Sequence, residues 1–177
     1  MQTNTPNSNY SQKAMQQGTI LGLYWIAIGI IYILGLSNAV LSVLFLAMLA
    51  ASPFFAAKLT VRYRKQECGN TMTFIGAWSF LIIMYVCASL LFAVAQYIYF
   101  IFIDGGFFLS FLEEQINILQ QIPELDAATI DAFKQIAEAW NQMTTSDIVL
   151  QFLSTNMMVT GILTPLTAIF VKRTPNK

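Results

Sequence analysis

The sequence predicts an all-α integral membrane protein: a four-helix bundle with an extracytoplasmic amphipathic helical hairpin between spans three and four. Three observations predict it. The chain is 56% hydrophobic and 10% charged, against about 25% charged residues in soluble domains, and its mean hydropathy is +0.61. The apolar runs 19–57, 71–103 and 148–171 contain no Asp, Glu, Lys, Arg or His and are long enough for four bilayer crossings. The charges also separate. Lys13, Lys58, Arg62, Arg64, Lys65, Lys172, Arg173 and Lys177 flank the runs, whereas Asp104, Glu113, Glu114, Glu124, Asp126, Asp131, Glu138 and Asp147 lie between the last two. Only Glu67 and Lys134 break the partition.

Residues 1–18 are polar and rich in Asn, Gln, Ser and Thr, so they read as a disordered tail. The run Thr19–Ala57 would extend roughly 58 Å as one helix, nearly twice the hydrocarbon thickness. It must turn back, and Gly35-Leu36-Ser37-Asn38 is the cheapest place because Gly and Asn tolerate left-handed backbone angles. Spans near 19–36 and 38–57 result, followed by a basic loop over 58–70. The third span, 71–103, has no turn signal before Asp104-Gly105-Gly106. The fourth, 148–171, follows Thr144-Thr145-Ser146-Asp147, a cluster suited to capping a helix start, and precedes a short tail, 172–177.

Orientation follows from the Lys and Arg of the short loops. Lys58, Arg62, Arg64 and Lys65 lie in 58–70 and Lys172 and Arg173 follow the last span, against Lys134 alone in 104–147. Both termini and the basic loop are therefore expected on the cytoplasmic side. The aromatic residues agree with this orientation, with Tyr24, Trp25, Phe74 and Trp78 towards the inner interface and Tyr32, Tyr97 and Tyr99 towards the outer one.

The acidic segment 104–147 reads as two helices. Phe108, Phe111, Leu112, Ile116, Leu119 and Ile122 share one helical face, with Glu113, Glu114, Asn117 and Gln120 opposite. Pro123 breaks that helix, and Asp126 is placed to cap a second whose apolar stripe is Ile130, Phe133, Ile136, Ala137 and Trp140. Packing of these stripes on each other or on the span ends is the plain reading. A docking surface for a protein partner over 107–143 is the sharper one. Glu113 and Glu114 are adjacent and point about 100° apart on a helix, so they do not converge as an acid/base pair.

Inside the bilayer, Gly18 and Gly22 form a small-xxx-small motif with Gly29 near the same face. Close packing against Ala47, Ala50 and Ala51 of the second span is expected, and homo-oligomerisation through the same groove is the alternative. Pro53 and Pro165 each remove a helical hydrogen bond and are expected to kink spans two and four. Asn156, Thr160, Thr164 and Thr167 make a polar stripe along span four. Such a stripe lines a narrow path in a channel or facilitator, or bonds to its own helix backbone as part of ordinary packing.

The chemistry available is sparse. The chain contains no His, its two cysteines fall in a polar loop and an apolar run, and no Gly-rich phosphate loop occurs. Haem, zinc and His-based acid/base mechanisms lose their usual ligands, so neither a cofactor, nor a metal, nor an enzymatic activity is expected. The formal net charge of zero gives no attraction to nucleic acid. Spans without ionisable groups also argue against proton-coupled transport.

The run Val61-Arg62-Tyr63-Arg64-Lys65, Gly69 and Met72-Thr73-Phe74-Ile75 with Ala77 enters a long span, which Tyr97, Tyr99, Phe100 and Phe102 close. With the acidic insert and the closing Gly161, Pro165 and Lys172-Arg173, these features resemble a family of small bacterial four-span membrane proteins of unknown function. The resemblance implies four helices and a bacterial inner-membrane location, and brings no catalytic residues with it. The resulting expectation is a non-enzymatic interaction or structural component of the lipid bilayer, with the small channel or facilitator as the alternative.

Overall fold

Six α-helices build the described residues, 6–36, 38–122 and 126–173, of the computed structural model. They are α1 (Pro6–Gly35), α2 (Ala39–Glu67), α3 (Phe74–Phe102), α4 (Phe107–Leu119), α5 (Ala127–Asn141) and α6 (Thr145–Val171). Helices α1, α2, α3 and α6 are each long and apolar enough to cross a membrane, and α4 and α5 lie between the third and fourth of these spans. The protein is thus an all-α, four-span membrane bundle with two additional helices. In lipid every backbone polar group must be satisfied within the chain, which long uninterrupted helices achieve.

The connections show why the helices stop where they do. The α1–α2 turn falls at the expected place by a different mechanism. Asn38 is extended (φ −145°, ψ 109°), and its side chain accepts from the backbone N–H groups of Val40 and Leu41 as the N-cap of α2. Gly35 ends α1 without a left-handed φ. Its missing Cβ admits the backbone of Leu41 and Ser42, which a Cβ would meet at 3.1–3.3 Å, and the Ser42 hydroxyl donates to the Gly35 carbonyl at 2.6 Å. Ser37 lies outside the described residues. After α3, Gly105 (φ 53°) and Gly106 (φ 88°) do take the left-handed region, while the Asp104 carboxylate accepts from the N–H groups of Gly106 and Phe108.

At the start of α6, the Thr144 hydroxyl accepts from Asp147 N–H, and the Asp147 carboxylate accepts from both the N–H and the hydroxyl of Thr144. This is the reciprocal capping pattern, which satisfies donors that the first helical turn leaves open. Asp126 occupies the N-cap position of α5, but its side chain makes no cap hydrogen bond. Pro123 and Glu124 fall outside the described residues.

Two expected boundaries are corrected. Residues 6–18, read as tail, are the first turns of α1, because Tyr10, Ala14 and Leu21 pack inward on the same stripe. Tyr10 meets Tyr63 and Phe80 edge-on with ring centroids 6.0 and 5.7 Å apart, its hydroxyl donates to the Gly76 carbonyl, and Lys13 pairs with Glu67 at 3.1 Å. Residues 58–67, read as loop, are the last turns of α2, held by the buried side chains of Leu59, Thr60, Tyr63 and Arg64. The connection that remains is short, with Gly69 and Asn70 both at positive φ, and leads to a two-way backbone bridge between Met72 and Arg173 (2.8 and 2.9 Å).

The chain divides into two compact units, one of residues 1–92 with 153–177 and the other of residues 93–152. The first has its core in Leu21, Trp25, Phe80, Leu81, Met84 and Val171. Large apolar side chains of α2 such as Val40, Leu46 and Phe54 (75% exposed) point away from it, as expected where lipid rather than water is the solvent. In the second unit α4 and α5 pack on each other, and Phe100, Phe108, Trp140 and Phe152 form a ring cluster with centroid separations of 5.4–6.3 Å.

Candidate functional site

The structure distributes the candidate residues over three places. The glycine face of α1 packs against α3, which corrects the expectation of Ala47, Ala50 and Ala51 on α2. A Cβ on Gly18 would sit 2.6 Å from the Met84 carbonyl oxygen and 2.7 Å from Cys87 Cβ, and one on Gly22 would sit 3.2 Å from Ala88 Cα. A Cβ on Gly29 would sit 3.1 Å from the Phe92 ring. The three alanines are exposed on α2. The reason is rotational: the inward stripe of α2 runs through Ser52, Ala56, Leu59 and Tyr63, which turns 47, 50 and 51 outward.

Trp25 turns into the bundle. It is 8% exposed, its indole N–H donates to the Ser52 hydroxyl at 2.7 Å, and its ring stacks on Tyr85 at 5.9 Å. Burying an indole without an acceptor is costly, so Ser52, which no sequence pattern singled out, acts as its partner.

On α6, Thr160, Thr164 and Thr167 all turn into the first unit and are buried, Thr164 at 2% exposure. Each hydroxyl donates to its own helix: Thr160 to the Asn156 carbonyl at 2.8 Å, Thr164 to Thr160, and Thr167 to Leu163 at 2.9 Å. Asn156 is half-buried. Helix α6 continues through Pro165, as α2 does through Pro53, and a Cβ on Gly161 would meet nothing within 4 Å. On α3 the buried Tyr85 hydroxyl lies beside the Thr167 side chain, and the buried Ser89 hydroxyl has no hydrogen-bond partner among the described residues.

The basic residues gather at one end of the first unit. Lys58, Arg62 and Lys65 are exposed on α2, and Lys172 and Arg173 are exposed after α6. Arg64 alone turns inward, at 7% exposure. Its Nη1 donates to the Val171 carbonyl at the C-terminus of α6, where unsatisfied carbonyls concentrate partial negative charge. Its Nε is buried with no acceptor among the described residues. Tyr63 beside it stacks on Phe80 with ring centroids 4.3 Å apart. A signal for the inward turn existed in the four-residue spacing of Ala56, Thr60 and Arg64, but the charge on that face suggests a loop.

In the second unit, a cleft of about 300 Å³ between α4 and α5 is lined by Glu113, Asn117, Gln120, Lys134, Glu138 and Asn141, together with Ile116 and Ala137. The expected apolar stripe of α5 divides. Ile130, Ala137 and Trp140 are half-buried, whereas Phe133 (42%) and Ile136 (52%) remain exposed. Among the described residues, no group of three or more His, Cys, Asp or Glu side chains could hold a metal ion.

No curated protein and no solved structure matches the chain. A family profile described as "Protein of unknown function (DUF4199)" matches residues 16–173, from the first turns of α1 to the backbone bridge after α6. With α1 from residue 16 onward, the other three spans and both intervening helices inside that match, the chain belongs to the DUF4199 family.

Proposed function

We propose that the chain is a non-enzymatic component of a bacterial inner membrane, with both termini cytoplasmic and with α4 and α5 outside as an amphipathic docking hairpin for a protein partner. The observation that carries the reading is the charge partition. Lys58, Arg62, Arg64, Lys65, Lys172 and Arg173 belong to one end of a bundle whose spans hold no charge between 19 and 57, 71 and 103, or 148 and 171, while Lys134 is the single basic residue of 104–147. Translocating Lys and Arg is disfavoured, so that end stays inside. Phe133 and Ile136, exposed near Asp131 and Glu138 on the same helix, suit a partner that offers apolar and basic side chains. The hydroxyls of the α6 stripe bond to their own backbone, which favours a packing role over a conducting path.

Cysteine labelling of intact cells in a Cys87→Ser background tests the orientation. Cys68 should react only after the inner face is opened, and Glu114→Cys should react from outside; the reverse pattern would overturn it. Crosslinking and co-purification of the whole chain, of Phe133→Ser/Ile136→Ser and of a form lacking 107–143 test the docking role. Identical partner profiles from all three would remove it.

A further inference from the structure

We infer that Arg64, Lys172 and Arg173 form a binding site for the phosphate of an anionic phospholipid headgroup at the basic end of the bundle. Burying a guanidinium requires an opposite charge and acceptors for its N–H groups. Arg64 is 7% exposed, and the one hydrogen bond its guanidinium makes among the described residues runs to the neutral Val171 carbonyl. Its Nε meets no acceptor among the described residues. The ion pairs within 4.0 Å are Lys13–Glu67 and Lys134–Asp131, so no carboxylate among the described residues pairs with it.

The chain brings further positive charge to the same place. Because the guanidinium bonds to Val171, the next two residues, Lys172 and Arg173, start beside it, and the backbone bridge from Arg173 to Met72 fixes their course. Their side chains are exposed. The nearest acid in sequence, Glu67, is paired with Lys13. Three cations at one helix end repel one another unless an anion joins them. Arginine suits a phosphate because its planar N–H fork matches the phosphate oxygens.

The position selects the source. The site lies where two spans end, the depth at which headgroup phosphates sit, and basic pockets between transmembrane helices are suited to such headgroups. A free phosphate has the same oxygens but no acyl chains to hold it against the exposed apolar flanks of the spans. This inference does not depend on the proposed orientation or on a protein partner.

The test uses the whole chain in nanodiscs of phosphatidylcholine, with phosphatidylglycerol raised from zero to about one third of the lipid, and in detergent with inorganic phosphate at matched ionic strength. Bound phosphatidylglycerol per protein is read by native mass spectrometry. Selective retention of phosphatidylglycerol over phosphatidylcholine is expected, with inorganic phosphate failing to displace it. Retention should fall roughly 30-fold in Lys172→Gln/Arg173→Gln, about fivefold for each basic residue near a headgroup. That double variant changes exposed side chains only and leaves the fold intact. Arg64→Gln should abolish selectivity, and Arg64→Lys, which keeps the charge but loses the fork, should restore only part of it. Lys58→Gln/Arg62→Gln removes equal charge from the exposed face of α2 and should have a much smaller effect. Equal losses from the two double variants would show general surface attraction and overturn the site, as would retention unchanged in Lys172→Gln/Arg173→Gln. Displacement by inorganic phosphate would overturn the lipid source.

Discussion

Replacing Gly18 with alanine should weaken the bundle because two helix backbones touch there. The added Cβ would lie 2.6 Å from the Met84 carbonyl oxygen and 2.7 Å from Cys87 Cβ, distances at which repulsion dominates. Neither atom is the far end of a flexible side chain, so α1 must withdraw from α3. A gap of about 0.5–1 Å forfeits a quarter to a half of each dispersion contact along the seam, and overpacking of this kind costs about 1–3 kcal/mol. Alanine returns up to about 1 kcal/mol of helix propensity. Since the obstruction is backbone, the upper end of the cost applies, leaving a net loss of about 2 kcal/mol, roughly 30-fold in the folding equilibrium. Gly22→Ala meets a movable Leu91 methyl at 2.9 Å and Ala88 Cα at 3.2 Å, and should lose less, on the order of 0.5 kcal/mol. Gly161→Ala meets nothing within 4 Å and should be neutral or gain up to about 1 kcal/mol. Equilibrium unfolding in mixed micelles of mild detergent and dodecyl sulfate, followed by far-ultraviolet circular dichroism, gives all three. Gly18→Ala as stable as the parent chain, or Gly161→Ala as damaging as Gly18→Ala, would refute the reasoning that close α1–α3 approach is what these glycines supply.

Two further outcomes follow from named contacts. In a double-mutant cycle, Trp25→Phe and Ser52→Ala should show a coupling of about 0.5–1.5 kcal/mol in the same unfolding assay, because either change alone leaves one partner of the 2.7 Å bond unsatisfied in lipid; additive effects would mean the bond contributes nothing. Thr160→Val with Thr164→Val should keep the helix content and lose no more than about 1 kcal/mol, since hydroxyls bonded to their own helix add little net stability. Reconstituted into liposomes, the parent chain and this variant should show the same solute permeability as empty vesicles; a flux present in the parent and lost in the variant would restore the polar-path reading.

Legibility followed the range of the interactions. The turn after Gly35, the break at Asp104-Gly105-Gly106 and the capped start of α6 were readable because each depends on residues within a few positions of one another. The first turns of α1 were not. Asn9, Gln12, Lys13 and Gln16 look like a solvated tail, and what makes them helical is the contact of Tyr10 with Tyr63 and Phe80, more than fifty residues away in sequence. The spacing of Tyr10, Ala14, Gln17 and Leu21 carried the signal, hidden by polar neighbours. The inward turn of Trp25 was hidden for a related reason: its indole N–H is satisfied by Ser52 on another helix. In the second unit the apolar stripe of α5 was legible as a pattern, but its division into half-buried Ile130 and Trp140 and exposed Phe133 and Ile136 was not.

By itself the sequence determined how many times this protein crosses the bilayer and where its charges are excluded. Those follow from the cost of placing a charge or an unsatisfied peptide group in hydrocarbon, which each segment meets independently of the others. Tertiary structure alone decided which helix receives the glycine face, whether the threonines of α6 point inward, and that Arg64 leaves the exposed basic cluster to cap the end of α6. Where a span is apolar on every side, periodicity does not mark the inward face. Rotation about each helix axis is set by the fit of individual side chains to their neighbours, such as the absence of a Cβ at Gly18 or the reach of one guanidinium to Val171.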